Sequence, residues 1–322
     1  MRAVRCEGAG GPEVLGIGEV ADPSPGPGEV LVRVRAAGVN RADLLQRQGH
    51  YPPPPGAPET LGLECSGTVA AVGAGVHGWQ PGQDCVALLA GGGYAELVGV
   101  PAGQLITPPP GVDLVTAGGL VEVAATVVSN LDHAGVGAGA TVLVHGGAGG
   151  IGSFAVQYAR ALGCRVLTTA GSADKLAYCL DLGADEAFDY HADWPAAVRA
   201  AAPGGVDAVL DVMGASYLTD NVSVLAADGH LLVIGMQGGR RGELDLGALL
   251  ARRASVSALA LRSRPVEQKS AICARVGEVV WPMLADGRVR PAHETRFPLE
   301  QAAEAHALLE SGRSHGKIVL VV

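Results

Sequence analysis

Residues Thr141–Gly163 read TVLVHGGAGGIGSFAVQYARALG. A short apolar, β-branched run is followed by a glycine-rich loop, and then by apolar residues at helical spacing up to Gly163. A pyrophosphate needs backbone N–H groups at close range and the positive end of a helix dipole, which Gly146, Gly149 and Gly152 are spaced to provide. The strand before the loop and the helix after it favour a dinucleotide-binding turn over a flexible one.

The chain on the carboxyl side of this loop repeats the order strand, helix. We predict strands over Arg165–Ala170, Val206–Val212 and His230–Ile234, with helices over Ala173–Leu182 and Ala215–Ala226. This alternation is typical of an α/β domain with a doubly wound parallel (Rossmann) sheet. The segment Ser255–Leu261 would extend the sheet at an edge, where an exposed strand can pair with a second subunit, so we expect a homodimer.

The first third of the chain has a different pattern, in which short strands are separated by Pro and Gly turns. The predicted strands are Arg2–Cys6, Val30–Ala36, Gly67–Val72, Asp84–Leu89 and Tyr94–Val98. This pattern favours a small β-barrel. The last segment, with predicted helices over Glu267–Leu284 and Leu299–Leu309 and a strand over Lys317–Val322, could return to complete it. We therefore expect a catalytic domain over residues 1–124, a nucleotide-binding domain over 125–264, and a returning segment over 265–322.

Composition limits the partners. The chain has 322 residues, is 48% hydrophobic and carries a formal charge of −9, which repels nucleic-acid phosphates and anionic lipid surfaces. It has no run of eighteen apolar residues, and Met1–Gly8 lacks the pattern of a secretion signal, so we expect a cytoplasmic protein without nucleic-acid or membrane partners. The six cysteines are scattered singly, unlike those of zinc knuckles or redox dithiols.

The residues after the second strand of the nucleotide domain bear on the choice of cofactor. Enzymes specific for NAD place a carboxylate there for the ribose 2′-hydroxyl, whereas this chain has Ala170, Gly171 and Ser172. Ser172 can donate a hydrogen bond and Lys175 can supply positive charge, so NADPH is favoured over NADH. The carboxylate of Asp174 would instead disfavour NADPH, although an acidic residue in the first turn of a helix commonly interacts with the helix dipole. Tyr190 could reach the same phosphate or could be a structural tyrosine.

Several motifs spread along the whole chain resemble those of the zinc-free quinone oxidoreductase (zeta-crystallin-like) branch of the medium-chain dehydrogenase/reductase superfamily. Besides the glycine loop, they are Ala37–Asp43, Gly62–Gly67, Gly82 with Asp84, Gly91–Tyr94, Ala170–Lys175, Leu182–Asp185 and Gly316–Leu320. The runs Gln46–Pro55 and Leu261–Arg264 also resemble an NADPH-dependent, stress-inducible quinone reductase subgroup. The resemblance implies a GroES-like β-barrel catalytic domain joined to the Rossmann domain.

The resemblance also implies how the acceptor is activated. Zinc-containing relatives carry a Cys, a His beside a Glu, and a further ligand around a catalytic metal. Here Asn40 takes the first position, and Leu63 precedes Glu64 where the His would be, so we expect no catalytic metal. The acceptor must then already be electrophilic, as a quinone is. The protein would act by positioning NADPH against it, with no indispensable acid or base.

Site residues follow from the same resemblance and from the loops at the carboxyl ends of the strands. Asn40 and Tyr51 would line the pocket and hydrogen-bond the acceptor oxygen, while Thr126 would face the nicotinamide. Their structural alternatives are a helix cap, a loop aromatic and a core threonine. The predicted cofactor contacts are Asn40, Thr126, Gly149, Gly150, Ile151, Gly171, Ser172, Lys175, Tyr190, Met213, Gly235, Met236, Gln237, Leu259, Leu261 and Lys317.

Two other functions remain open at this point. The same cofactor geometry could reduce activated carbon–carbon double bonds in enones or alkenals. The chain could instead be an NADPH-binding regulatory or structural protein without turnover. The motifs separate neither alternative from quinone reduction.

Overall fold

The computed structural model describes residues 1–322, which form fifteen strands and ten α-helices. The strands are β1 (Arg2–Cys6), β2 (Leu15–Glu19), β3 (Glu29–Val39), β4 (Glu64–Val72), β5 (Asp84–Leu88), β6 (Leu97–Pro101), β7 (Leu105–Ile106), β8 (Thr141–His145), β9 (Arg165–Ala170), β10 (Glu186–Asp189), β11 (Val206–Asp211), β12 (Leu225–Val233), β13 (Ser255–Ala258), β14 (Glu294–Pro298) and β15 (Lys317–Val321). The helices are α1 (Arg41–Arg47), α2 (Leu114–Ala117), α3 (Val121–His133), α4 (Gly150–Ala161), α5 (Ala173–Asp181), α6 (Trp194–Ala201), α7 (Leu218–Val224), α8 (Leu246–Arg252), α9 (Val266–Ala285) and α10 (Ala302–Glu310).

The chain divides into two compact units. The first contains Met1–Ala125, Leu261–Gly287 and Pro291–Val322, and the second contains Thr126–Ala260 and Arg288–Arg290. Each unit has its own sheet and its own buried core.

A six-stranded parallel sheet forms the centre of the second unit. Its order is β10-β9-β8-β11-β12-β13, which is 3-2-1-4-5-6 when the strands are numbered within the unit. This confirms the predicted doubly wound sheet. Its strands are apolar because helices cover both faces, and Leu143, Leu167, Val209 and Leu231 are fully buried. The order reverses direction at β8, so the loop after β8 lies at the switch point where such sheets bind ligands.

A seven-stranded sheet forms the first unit. Its path is β14-β15-β3-β4-β5-β7, and β6 also pairs with β3. Strand β3 can pair with three neighbours because it is eleven residues long and its register against β4 shifts at Leu31/Val32 and Val34/Ala36. The C-terminal strand β15 lies antiparallel to β3, with Ile318 opposite Val39.

Several element boundaries differ from the prediction. Strands β3 and β4 extend beyond their predicted limits, to Glu29–Val39 and Glu64–Val72. Strand β12 starts at Leu225, whereas the sequence predicted a helix up to Ala226 and a strand from His230. Asp228, at a φ of 62°, turns the chain within the observed strand. Strand β6 starts at Leu97 because Ala95 bridges to Ala3 instead of pairing with β3. Strand β13 ends at Ala258, three residues before the predicted end.

None of the helices is long and apolar enough to cross a membrane.

Candidate active site

The glycine loop of the second unit is built for close approach to a ligand. Gly146 has a φ of +70°, and Gly149 caps helix α4, which starts at Gly150. The N–H groups of Gly150, Ile151 and Gly152 lie in the first turn, where a helix offers no internal acceptor. A Cβ on Gly152 would collide with the backbone of Gly146 and Gly147. These residues fit a pyrophosphate at the helix N-terminus.

A buried histidine holds this loop from behind. His145 Nε2 lies 2.7 Å from Asn221 Oδ1, an acceptor, so Nε2 carries the proton, and Nδ1 accepts from the hydroxyl of Thr169 at 3.0 Å. The same Thr169 oxygen accepts the N–H of Gly146 at 3.3 Å. Burial lowers the pKa of His145 to about 4, so the ring stays neutral. Sequence reasoning did not find this support, because its members come from three separate segments.

The residues predicted to meet the ribose phosphate are arranged around the end of β9. Ser172 caps helix α5 by accepting the N–H of Lys175 at 3.4 Å, and its hydroxyl proton remains available to a ligand. The phenol of Tyr190 lies against Gly171, where a Cβ would collide with the ring. Tyr190 is exposed and directly follows β10. The structure thus places Gly171, Ser172, Lys175 and Tyr190 close to the end of one strand.

The loops after β11 and β12 are joined to each other. Asp211, fully buried, accepts the N–H of Met213 at 2.7 Å and of Gly214 at 2.9 Å. The N–H groups of Gly235 and Gln237 donate to the carbonyls of Asp211 and Val212. Burial raises the pKa of Asp211 to about 6. The predicted contacts Met213, Gly235, Met236 and Gln237 therefore lie together at the carboxyl edge of the sheet, and Met236 is exposed.

Three other predicted cofactor residues have simpler surroundings. Thr126 is buried in α3, where its carbonyl accepts from the side chain of Asn130 at 2.8 Å. Leu259 follows β13 in the second unit, whereas Leu261 belongs to the first unit and is buried.

Asn40, in the first unit, caps helix α1 and also takes part in a polar cluster. Its backbone N–H donates to Asp43 Oδ2 at 2.8 Å at the start of α1. Its side-chain amide turns away from the helix, so that Nδ2 donates to Glu64 Oε1 at 3.0 Å and Oδ1 accepts from Lys317 Nζ at 2.6 Å. The backbone thus provides the cap while the side chain joins a polar cluster.

Lys317 and Glu64 form the centre of that cluster. Their side chains are 9% and 0% exposed, and Lys317 Nζ lies 2.6 Å from Glu64 Oε1. Glu64 Oε2 accepts the N–H of Glu122 at 3.0 Å. Two donor side chains and one backbone N–H thus compensate the buried carboxylate. Lys317, predicted as a cofactor contact, directs its ammonium group into this cluster.

These residues do not fit a zinc ion. The ligand positions of the zinc-containing relatives hold Asn40, the buried Leu63 and Glu64, and an ammonium group lies 2.6 Å from two of them. A divalent cation there would face that positive charge, and leucine offers no donor atom. No group of three or more His, Cys, Asp or Glu side chains in the chain could hold a metal ion.

Arg262 organises the loop that carries Tyr51. Its guanidinium lies 5.2 Å from the centre of the Tyr51 ring and donates to Tyr51 O at 3.3 Å, to Ala90 O at 2.7 Å and to Gln46 Oε1 at 2.6 Å. Arg262 is 4% exposed, and its burial lowers its pKa. Tyr51 is half-buried, which raises the pKa of its phenol. The motif Leu261–Arg264 was noticed in the sequence, but this function of Arg262 was not.

A buried hydrogen-bond network holds Asp43. Its carboxylate accepts the N–H groups of Asn40 and Gly62 and the phenol proton of Tyr94 at 3.2 Å. Tyr94 O in turn lies 3.2 Å from His306 Nε2. Burial raises the pKa of Asp43 to about 6 and lowers that of His306 to about 3. Asp43 thereby connects the start of α1 to the backbone just before Glu64.

Comparison with known proteins agrees with both units. Residues 26–110 match the family described as the alcohol dehydrogenase GroES-like domain, and residues 150–274 match the family described as zinc-binding dehydrogenase. The quinone oxidoreductase of Rattus norvegicus is 31% identical over 329 residues, which cover 100% of this chain and 98% of the rat protein.

Two solved structures match over the full length of both chains. The Escherichia coli quinone oxidoreductase complexed with NADPH is 26% identical, with a TM-score of 0.91. A protein described as an NAD-dependent alcohol dehydrogenase is 33% identical, with a TM-score of 0.86. The chain, with its GroES-like domain and Rossmann-type parallel sheet, therefore belongs to the medium-chain dehydrogenase/reductase superfamily, and quinone oxidoreductases are among its full-length homologues.

Proposed function

We propose that this oxidoreductase transfers a hydride from NADPH to a quinone, or to a similarly electron-poor carbonyl compound, without a metal ion. The cluster of Asn40, Glu64 and Lys317 is the observation that carries the proposal. In zinc-containing relatives these positions hold metal ligands. Here they belong to a cluster in which the charges of Glu64 and Lys317 compensate each other. Its residues offer no Lewis acid that could activate an alcohol or an unactivated ketone.

The acceptor must therefore contribute its own electrophilicity. A quinone does so because two-electron reduction converts it into an aromatic product. NADPH, when bound, would supply the hydride. The residues of the chain then have to bind the acceptor, orient it and exclude water. Asn40 has its amide in the polar cluster, and Tyr51 is held by Arg262, so both side chains are fixed before an acceptor enters.

The choice of NADPH rests on the end of β9. No carboxylate follows Ala170 there, and Ser172, Lys175 and Tyr190 lie close to the end of this strand, which supports their contact with a 2′-phosphate. The E. coli quinone oxidoreductase was solved with NADPH, which supports this choice. The homologue described as NAD-dependent makes a direct test necessary.

A steady-state panel of acceptors tests the reaction. The purified protein, with NADPH, should turn over ortho- and para-quinones with a higher kcat/KM than alkenals and enones. Dominant turnover of enones would favour the double-bond reductase instead. Tight NADPH binding without turnover of any acceptor would support the regulatory or structural alternative.

Two variants test the cofactor preference. Lys175→Ala should weaken NADPH binding roughly tenfold or more while changing NADH binding little, because only NADPH carries the extra phosphate. Tyr190→Phe, which removes one hydroxyl, should have a smaller effect in the same direction. Binding is measured by calorimetry for both cofactors. Equal losses for NADPH and NADH in Lys175→Ala would contradict the assignment.

A further inference from the structure

Arg262 is a buried cation that lacks an anionic partner. It is 4% exposed, and the other buried arginine, Arg47, is 1% exposed. Arg47 forms an ion pair with Glu310 at 3.0 Å. Arg262 instead binds three neutral oxygen atoms and one aromatic ring, and none of these partners is a carboxylate. Burying a charge in this way is costly, so stability alone does not explain the arrangement.

The three oxygen atoms belong to three different segments of the first unit. Gln46 lies in α1, Tyr51 follows that helix, and Ala90 follows β5. The guanidinium nitrogens Nη2, Nη1 and Nε donate to Gln46 Oε1 at 2.6 Å, to Tyr51 O at 3.3 Å and to Ala90 O at 2.7 Å. Because a guanidinium is planar and rigid, these bonds fix the three segments relative to one another.

Tyr51 depends strongly on this support. Its own N–H donates to Leu45 O at 3.2 Å, and it is followed by Pro52–Pro55, which have no N–H groups to donate. The contacts of Tyr51 use its backbone and its ring, so its hydroxyl is left to bind a ligand. Arg262 therefore sets where that hydroxyl lies.

The cation also affects Tyr51 as a hydrogen-bond donor. Arg262 Cζ lies 5.2 Å from the centre of the Tyr51 ring, a distance suited to a cation–π interaction. Burial is the largest cause of the raised pKa of the phenol, and the charge of Arg262 acts against it. A hydroxyl polarised by a nearby cation gives a stronger hydrogen bond to an oxygen atom that carries negative charge.

We propose that Arg262 is a positioning residue for quinone reduction, which acts by fixing the Tyr51 ring and polarising its hydroxyl. This role rests on the proposed function, in which Tyr51 binds the acceptor oxygen. Hydride transfer adds two electrons and one proton to a quinone and leaves a negative charge on one oxygen atom. The hydrogen bond from Tyr51 strengthens as that charge develops, so Arg262 has its largest effect in the transition state.

Steady-state kinetics at saturating NADPH test the role. Arg262→Met removes the guanidinium, and kcat for a para-quinone should fall roughly tenfold or more while KM changes less, because the lost interaction is strongest in the transition state. Arg2→Met is the matched control in the same unit, since the Arg2 side chain is 49% exposed, and it should keep the wild-type kcat. A higher KM with an unchanged kcat in Arg262→Met would overturn the proposal.

A double variant decides whether Arg262 acts through Tyr51. Tyr51→Phe keeps the ring and removes the hydroxyl, so it should lower kcat by itself. In the Tyr51→Phe background, Arg262→Met should then lower kcat less than about threefold, because the hydroxyl that it positions is already gone. If the two losses multiply in the double variant, Arg262 does not act through the Tyr51 hydroxyl and the proposal is overturned.

Arg262→Lys provides the same test if Arg262→Met does not fold. It keeps the positive charge, but one ammonium group cannot span the three oxygen atoms, so kcat should still fall, by a smaller factor than in Arg262→Met. Calorimetry should show NADPH binding unchanged in both Arg262 variants, because the contacts of the Arg262 side chain are with the Tyr51 loop and its neighbours. A loss of NADPH affinity as large as the loss in kcat would indicate general disorder and overturn the role.

The wild-type protein separates this role from the proposed function. If it reduces quinones and both Arg262 variants keep its kcat, the role of Arg262 alone is overturned. If it binds NADPH but reduces no quinone, the proposed function is overturned and this role with it.

Discussion

The ion pair of Lys317 and Glu64 lies beside Asn40, at positions that carry metal ligands in zinc-containing relatives. Both groups are almost fully buried, and the pair is completed by the amide of Asn40. Such a pair adds little net stability compared with apolar residues, but removing one partner leaves an uncompensated buried charge. The two opposite charges of the pair compensate each other, so the arrangement needs no metal ion.

The energetic consequence can be measured. Lys317→Met should cost about 3–5 kcal/mol of unfolding free energy, because Glu64 loses its counter-ion in a site that is 0% exposed. The double variant Lys317→Met with Glu64→Gln should recover a large part of that loss. Urea unfolding at pH 7 gives both values. If Lys317→Met alone were as stable as the wild type, groups other than Lys317 would compensate the charge of the Glu64 carboxylate.

A second residue-scale prediction concerns acid stability. The pKa of His306 is lowered by burial, and secondarily by Arg47, from 6.5 to about 3. The unfolded chain therefore binds this proton at a higher pH than the folded one, and the stability contributed by neutral His306 is present above about pH 6.5 and is lost as the pH falls.

His306→Gln cannot take up that proton. The variant should be less stable than the wild type at pH 7, because it disturbs the bonds to Tyr94 and Arg47. The difference in unfolding free energy should narrow by about 1.4 kcal/mol per pH unit below about pH 6.5. Unfolding curves at several pH values check this. If the difference in unfolding free energy between the wild type and His306→Gln did not change with pH, the fold would not hold His306 neutral.

At the scale of elements, helix α4 and the loop before it depend on the absence of side chains. A Cβ at Gly152 would lie 2.6 Å from Gly147 Cα and even closer to the carbonyl of Gly146. Both neighbours are backbone atoms, so the helix would have to move away from the loop that we propose receives the pyrophosphate.

Gly152→Ala should therefore weaken NADPH binding at least roughly tenfold, or about 1.4 kcal/mol, and also lower Tm. Calorimetric titration and thermal unfolding measure the two effects. Gly204→Ala is the matched control in the same unit, because a Cβ there meets nothing within 4 Å. NADPH affinity that is unchanged in Gly152→Ala would place the pyrophosphate elsewhere.

For the whole molecule, the edge of the parallel sheet is the most informative surface. Strand β13 pairs with β12 on one side only. Val256 on this strand is 37% exposed, and Leu246 and Leu250 on α8 are 71% and 80% exposed. An open edge with exposed apolar side chains is suited to pair with the same edge of a second copy, and we propose a homodimer formed there.

Sedimentation equilibrium tests this assembly. The wild-type chain should be a dimer, and Val256→Lys should shift it to monomers by placing a charge on the edge strand. Leu180→Lys, at another exposed leucine of the second unit, should leave the dimer intact. A wild-type chain that stays monomeric at all concentrations would contradict the proposal.

The sequence alone determined the features that depend on neighbouring residues. The alternation of strands and helices predicted the parallel sheet, and the glycine spacing predicted the turn into α4, because periodicity and backbone sterics act over a few residues. The same local reasoning offered a helix cap as one role for Asn40 and found no carboxylate after β9. Local reasoning predicted the wrong first residue for β6 and for β12. A bridge to a distant strand shifts the start of β6, and a turn lies inside β12.

Only the tertiary structure decided what the polar residues of the first unit do. Lys317 and Asn40 are 277 residues apart in the chain, yet their side chains meet at 2.6 Å beside Glu64. The protonation of Asp43 and His306 follows from burial and from the groups packed around them. Desolvation and Coulomb coupling are set by distances in space rather than along the chain.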